Sequence, residues 1–161
     1  MIEVTVLGAK EVEAKFQVLP DRLFKAAKSA LDAWASELAS YIKENKLSGD
    51  PLHRRSGRLS SSVHPVSKSG TDFVSGGAGG GAAVPYARIH EYGGLIPAHT
   101  VFAKNAKALM IPLSSGTIFR KWANIPEIHM PERSYMRSAM KERAQSGIDE
   151  LKQALHDALL A

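Results

Sequence analysis

The strongest pattern in the sequence is an apolar stripe that runs from Leu23 to Ile42. Apolar residues recur there every three or four positions: Leu23, Ala27, Leu31, Trp34, Leu38 and Ile42. Charged residues occupy many of the positions between them, which is typical of a helix that buries one face. Pro20 and Asp21 precede the stripe and favour a helix N-terminus. The pattern predicts a long amphipathic helix over about residues 20–45, preceded by a shorter helical pattern that ends at Pro20.

A second long helix is predicted from about Ser134 to Leu160, where apolar residues again recur at helical spacing. These residues are Met136, Met140, Ala144, Ile148, Leu151, Leu155 and Leu159. The alternation of apolar and polar residues over 2–6 predicts a short first strand that ends at Gly8. The chain of 161 residues is long enough for one folded domain, so we expect a single domain over 1–161.

Several short strands are expected between the two helices. The segment Ser56–Val63 predicts a turn or short helix leading into a strand, and Phe73-Val74 begins the return strand of a hairpin. Residues 108–113 read as a buried strand, and residues 125–131, which contain two prolines, read as extended. The predicted class is therefore α+β, with two long amphipathic helices packed on a small, mostly antiparallel β-sheet.

Two segments are predicted to be long flexible loops. Residues 46–57 belong to a stretch rich in serine, glycine, proline and arginine, and residues 76–83 are all glycine or alanine. Both compositions favour exposed backbone. We expect these loops to become ordered when a partner binds.

Composition restricts the classes of function. The chain has no cysteine, which excludes disulfides, thiolate metal sites and a cysteine nucleophile. It has no apolar run long enough to span a bilayer, and its first residues lack the features of a leader peptide. We therefore expect a protein made in the cytosol that does not contact a membrane.

Positive charge is concentrated in two regions, within a net charge of +5. Residues 46–68 contain five basic residues and one acidic residue, and residues 105–137 contain five basic and two acidic residues. Such regions attract phosphate backbones or acidic protein surfaces. No zinc-finger, basic-zipper or ribonucleoprotein signature accompanies them.

The motifs that suggest catalysis or cofactor binding are incomplete. His90-Glu91 resembles the start of a zinc-protease helix, but Gly94 stands where the second histidine is required. The glycines at 77–81 formally fit a dinucleotide-binding loop, but Pro85 interrupts the helix that such a loop needs. His64 lies close to several serines without a nucleophile elbow. We therefore expect no enzymatic activity, no cofactor and no metal.

Three short motifs, in order, resemble the tail-completion or neck proteins of long-tailed bacteriophages. These families include Mu-type virion morphogenesis proteins and relatives of minor tail protein Z. The first motif is Ser56-Gly57-Arg58-Leu59-Ser60-Ser61-Ser62-Val63, the second is Tyr86-Ala87-Arg88-Ile89-His90-Glu91-Tyr92-Gly93, and the third is Pro131-Glu132-Arg133-Ser134-Tyr135-Met136. Ser134 departs from the family pattern, which has proline at this position. The resemblance covers about residues 8–160.

The resemblance implies a virion structural protein at the head–tail junction or the head-proximal end of the tail, assembled in the bacterial cytoplasm. It implies a hexameric ring whose partners are the head–tail connector, the tail terminator and the tail tube, with DNA passing close by. Forked guanidinium groups and rigid aromatic rings suit such contacts. The candidate interface residues are Arg54, Arg55, Arg58, Tyr86, Arg88, His90, Tyr92, Arg133 and Tyr135.

Two other functions remain open from the sequence. The main alternative is a small basic nucleic-acid-binding protein that holds phosphates with the positive segment at 46–68. Steep salt dependence of DNA binding distinguishes it from an assembly protein. A hydrolase or metalloenzyme is the third class, and stoichiometric zinc in the purified protein would favour it.

Overall fold

The computed structural model describes residues 9–53, 55–71 and 73–160. Within these ranges the protein combines α-helices with small antiparallel sheets, so the predicted α+β class is confirmed. The strand predicted at residues 2–6 lies outside the described residues, and so does the candidate interface residue Arg54.

The described chain has two long and two short α-helices. They are α1 (Ala9–Tyr41), α2 (Arg58–Ser62), α3 (Ala87–Tyr92) and α4 (Met136–Leu160). A π-helical turn, Ile42–Lys46, extends α1. The long helices expected near 20–45 and 134–160 are therefore present, and the short helix expected after Ser56 is α2.

The predicted interruption at Pro20 is wrong, because α1 continues through this residue. A proline in a helix interior loses one backbone hydrogen bond and costs about 3 kcal/mol. The helix α1 packs against α4 and against the strands β1 (His64–Ser69) and β2 (Val74–Gly79). This tertiary packing offsets the local cost at Pro20, which sequence periodicity alone does not reveal.

All strands of the described chain pair in antiparallel fashion, two at a time. The remaining strands are β3 (Gly94–Ile96), β4 (His99–Phe102), β5 (Leu109–Leu113), β6 (Gly116–Arg120), β7 (Trp122–Ile125) and β8 (Ile128–Met130). The pairs are β1 with β2, β3 with β8, β4 with β7, and β5 with β6. The small antiparallel sheet expected from the sequence is thus divided into two-stranded pieces.

The glycine run at 76–83 is only partly a loop. Gly76–Gly79 form most of β2, with Gly76 opposite Ser67 and Gly79 opposite His64. A Cβ atom on Gly76 would lie 2.7 Å from the carbonyl oxygen of Leu31 in α1. The loop prediction is therefore wrong for 76–79, because glycine is needed there for the strand to approach the helix closely.

The hydrophobic core lies between α1, α4 and the segments that join them. Its buried residues are Trp34, Leu38, Ala39, Ile42, Leu47, Leu52, Val63, Tyr135 and Ala139. Leu47 and Leu52 belong to the segment 46–57, for which an exposed flexible loop was expected. These two side chains correct that expectation, because their burial fixes the start and the middle of the segment to the core.

The apolar stripe predicted for α4 is only partly correct, because four of its seven residues are half-buried and three are exposed. The buried positions are Ala139, Gly147 and Ala158, whereas the predicted stripe residues Met140 and Ile148 are exposed. Small residues at the buried positions allow α4 to approach α1 closely. The periodic pattern located the helix correctly. It assigned larger side chains to the contact with α1, however, and these lie beside that contact.

The chain divides into two compact units. The first unit comprises residues 1–87 and 134–161, and the second comprises residues 88–133. The first contains α1, α2, α4 and the β1–β2 hairpin, and the second contains most of α3 and the strands β3–β8. That these units act as a single domain stays a prediction.

Candidate interaction surface

The strand pairs of the second unit are nested and form one two-stranded ribbon, residues 94–130. Ile96 faces Ile128 at the end of one pair, and His99 faces Ile125 at the start of the next. Two residues separate the pairs on each strand, so the register is unchanged across the interruption. The interruption contains Pro97 on one strand and Pro126 on the other. Proline has no backbone N–H to donate to the pairing of two strands.

The ribbon has one large asymmetry between its strands. Ala103 donates its backbone N–H to the carbonyl oxygen of Lys121 at 3.0 Å, which continues the register of β4 and β7. The next pair is Leu109 with Arg120. Residues 104–108 therefore have no counterpart on the other strand. Such an insertion bends a ribbon and redirects the side chains beside it.

The second unit has almost no buried apolar surface. The structure describes every residue from 88 to 133, and the single buried side chain among them is that of Glu91. The ribbon carries as many exposed large apolar side chains as the rest of the described chain together: Leu95, Phe102, Met110, Leu113, Ile118, Phe119, Trp122 and Ile128. The burial predicted for residues 108–113 is wrong, although β5 itself is present.

Four of these exposed side chains form two cross-strand pairs. Met110 faces Phe119, and these side chains are 69% and 67% exposed. Phe102 faces Trp122, and these are 61% and 54% exposed. Side chains that face each other across two strands lie on the same side of the ribbon. Each pair therefore forms a contiguous apolar patch, which marks a contact site rather than scattered exposure.

A cleft of about 400 Å³ lies where the ribbon changes register. It is lined by Ile111, Arg120, Lys121, Trp122 and Ala123. Arg120 and Lys121 are exposed, so the cleft combines two cationic side chains with an indole ring. A second cleft, of about 420 Å³, lies where the two prolines interrupt the ribbon, and it is lined by Ala98, His99, Thr100, Asn124, Ile125 and Pro126.

The glycine loop after β2 connects parts of the three sequence motifs within the first unit. Ser62 of the first motif accepts a hydrogen bond through Oγ from the backbone N–H of Gly81 at 3.1 Å. Gly81 has φ of +78°, and a Cβ there would lie 2.6 Å from Ala87 Cβ and 3.4 Å from the Tyr135 hydroxyl oxygen. Residues of all three motifs therefore meet around one glycine, where a larger residue does not fit.

The second and third motifs also run side by side within the second unit. Arg133 donates its backbone N–H to the carbonyl oxygen of His90 at 2.8 Å. Gly93, with φ of +67°, ends α3, and a Cβ there would lie 2.8 Å from the Glu132 nitrogen. The second motif therefore forms a short helix that ends in a glycine turn.

His90 lies in an environment that disfavours its charged form. Burial, followed by the charge of Arg133, lowers the pKa of His90 below its ordinary value of 6.5. His90 is half-buried and the neighbouring Glu91 is buried. Their packed environment agrees with structural roles for both residues.

The candidate interface residues differ in accessibility. The exposed members of this set are Arg55, Arg58, Tyr86, Arg88, Tyr92 and Arg133. Tyr135 is 1% exposed and belongs to the core, so its prediction as an interface residue is wrong. Its place at the start of α4 directs the ring into the core. Of this set, the described contacts bring His90 and Arg133 together.

Sequence reasoning missed the aromatic and cationic residues of the ribbon. Phe102, Phe119 and Trp122 belong to a segment in which no motif was recognised, and their exposure follows from pairing rather than from local pattern. A usable signal was present. The turn residues Ser114-Ser115-Gly116 are followed directly by Thr117, Ile118 and Phe119, a β-branched and aromatic run that is typical of a strand after a hairpin turn.

Comparison with family models, curated proteins and solved structures finds no match to this chain. In the described ranges, no cluster of three or more histidine, aspartate or glutamate side chains is arranged to hold a metal ion. Among the helices that the structure describes, none is both long and apolar enough to cross a membrane.

Proposed function

We propose that this chain is a structural subunit of a bacteriophage virion. It acts at the head–tail junction or the head-proximal end of the tail, and it completes the tail for joining to the head. The observation that carries the assembly role is the ribbon 94–130, which exposes eight large apolar side chains in a unit with no buried apolar residue. The phage assignment rests on the three motifs.

The physical argument concerns what such a ribbon requires. An isolated two-stranded ribbon is marginally stable in water, because it has no second layer to cover its apolar side chains. Burial contributes about 25 cal/mol for each Å² of apolar surface removed from water. A partner that covers the Met110–Phe119 patch therefore binds more tightly and also stabilises the ribbon. This coupling is expected of an assembly protein.

The ring implied by the motif resemblance places a further condition on the surface. A closed cyclic ring needs heterologous contacts, so two different faces of each subunit must be complementary. The Met110–Phe119 patch supplies one face. The exposed motif residues Arg58 and Tyr86 of the first unit supply a cation and an aromatic ring for the other. The connector, the tail terminator and the tail tube remain the proposed partners above and below the ring.

The decisive experiment is deletion of the gene in its phage, followed by electron microscopy of the lysate. The expected result is DNA-filled heads beside unattached tails, with normal virions restored by the gene supplied in trans. Normal infectious virions without the gene would overturn the proposal.

Complementation with ribbon variants tests whether the exposed apolar side chains of the ribbon are needed for assembly. Met110→Ser with Phe119→Ser removes the proposed contact patch, whereas Leu160→Ser removes an apolar side chain that is 75% exposed outside the ribbon. We expect the double variant to fail in joining heads to tails while the Leu160 variant succeeds. Equal success of both would contradict a role for this patch.

Charge supports a second candidate, the small basic nucleic-acid-binding protein. Arg55 and Arg58 are exposed, which suits phosphate contacts from the segment 46–68. Lys46 of the same segment is bound to Glu142 at 2.7 Å, which reduces the free positive charge there. If this candidate is right, replacing both arginines by alanine should lower the affinity for DNA and make that affinity less dependent on salt.

A further inference from the structure

The cleft at the change of register combines groups that recognise a nucleotide. Trp122 presents an indole that is 54% exposed, and Arg120 and Lys121 present two exposed cations beside it. An indole face stacks on a nucleobase, and a guanidinium or ammonium group pairs with phosphate. Ile111 supplies an apolar wall. The same three kinds of group recur in proteins that bind single-stranded nucleic acids.

The unequal strands explain how adjacent residues reach one cleft. In a regular strand Arg120 and Lys121 would point to opposite sides of the ribbon. Residues 104–108 have no counterpart on the other strand, so the ladder breaks between Arg120, which faces Leu109, and Lys121, which binds Ala103. The break allows both cations and the following Trp122 to line a single cavity.

Charge favours a polyanion over a second copy of the same ribbon. Residues 94–130 contain the basic residues Lys104, Lys107, Arg120 and Lys121 and one acidic residue, Glu127. Two such ribbons would repel each other, whereas a phosphate backbone is attracted along the cationic edge.

From this geometry we infer that the cleft binds single-stranded nucleic acid, with a base on Trp122 and the adjoining phosphates on Arg120 and Lys121. A single strand is favoured over a duplex because stacking on the indole requires a base that is free of its own stack. The site is distinct from the positive segment at 46–68. It does not depend on the proposed virion role, and either can fail without the other.

The test uses the full chain and fluorescein-labelled oligodeoxythymidine of roughly 16 nucleotides, with a mixed-sequence duplex of equal length for comparison. Anisotropy should show tighter binding of the single strand. Loss of one stacked base costs about 1–3 kcal/mol, so Trp122→Ala should weaken binding roughly 5- to 150-fold. Trp122→Phe should retain most of the affinity, because a phenyl ring also stacks.

Two further readouts are specific to the cleft. The chain has two tryptophans, and Trp34 is buried, so single-strand binding should quench the emission of Trp122. The quenching should disappear in Trp122→Phe although that variant still binds. Replacing both Arg120 and Lys121 by alanine should reduce the slope of log affinity against log salt by roughly 1.4, or about 0.7 for each phosphate contact.

The matched control is Lys141→Ala with Lys152→Ala, which removes the same charge from exposed positions of α4 in the first unit. It should leave single-strand binding within about twofold of the wild type, and circular dichroism should show that every variant is folded. The inference is overturned if no oligonucleotide binds at low salt, if the duplex binds as tightly as the single strand, or if the Lys141/Lys152 control loses as much affinity as the Arg120/Lys121 variant.

Discussion

Gly147 of α4 lies directly against the indole of Trp34 in α1. A Cβ atom on Gly147 would lie 2.6 Å from Trp34 Cε2, inside the limit for real contacts. The indole Nε1 donates a hydrogen bond to the carbonyl oxygen of Arg143, one turn earlier in α4, at 3.1 Å. The ring is therefore held both by packing and by a hydrogen bond, and it has little freedom to move aside.

The first prediction concerns this contact. Gly147→Ala should lower the free energy of unfolding by about 1–3 kcal/mol, because the added methyl group forces α4 away from Trp34. This cost should exceed the gain in helix propensity of about 1 kcal/mol. Urea titration followed by circular dichroism measures the change. Gly49→Ala is the matched control, since nothing lies within 4 Å of a Cβ there; equal effects would show that the close contact is unimportant.

The second prediction separates two neighbouring glycines of β2. Gly76→Ala should destabilise the fold by about 1–3 kcal/mol, because its Cβ would lie 2.7 Å from the Leu31 carbonyl oxygen. Gly77→Ala should be neutral or stabilising by up to about 1 kcal/mol, because its Cβ would make ordinary contact with Met140 at 3.7 Å. Thermal unfolding of both variants provides the measurement. Equal tolerance at the two positions would favour the flexible loop first expected.

The third prediction distinguishes a core tyrosine from a surface tyrosine. Tyr135→Ala should destabilise the protein by about 3–5 kcal/mol, because it leaves a cavity in the core. Tyr92→Ala should change stability by less than about 1 kcal/mol, since the ring is 59% exposed, but it should impair assembly in the complementation assay. Denaturant unfolding and plaque counts measure the two effects. A large loss of stability in Tyr92→Ala would make that residue structural.

The fourth prediction is a pH dependence from His90. Burial and Arg133 lower the pKa of His90 in the folded state, so the unfolded chain binds a proton more readily. The free energy of unfolding should therefore fall as pH decreases below about 6.5, and this contribution should level off below the folded pKa. Denaturant midpoints between about pH 5 and 8 measure it. His90→Gln should show a shallower dependence, and an unchanged slope would contradict the assignment.

The helices and hairpin were predictable because their signals are local. The apolar positions of α4 recur at helical spacing, and Phe73-Val74 marks the return strand of the hairpin, so both features were predicted near their observed places. The predictions of a helix interruption at Pro20 and of a loop at Gly76 are wrong for the same reason. The usual local effects of these residues are outweighed by packing against residues far away in sequence, which periodicity does not contain.

The candidate site was less predictable than the fold. The exposure of Phe102 and Trp122 depends on which strand pairs with which, and the cleft depends on five extra residues in one strand. Neither property follows from composition. Tyr135 shows the opposite case. Other residues of the third motif are exposed, but the tyrosine itself is buried in the core.

The base of the ribbon has a consequence for how this chain can vary. Gly94 faces Met130, and facing residues in antiparallel strands have Cα atoms about 4.5–5.5 Å apart. A turn of two residues spans such a gap. A ribbon of another length would therefore still allow the chain to close at this point, where Arg133 of the third motif binds His90 of the second.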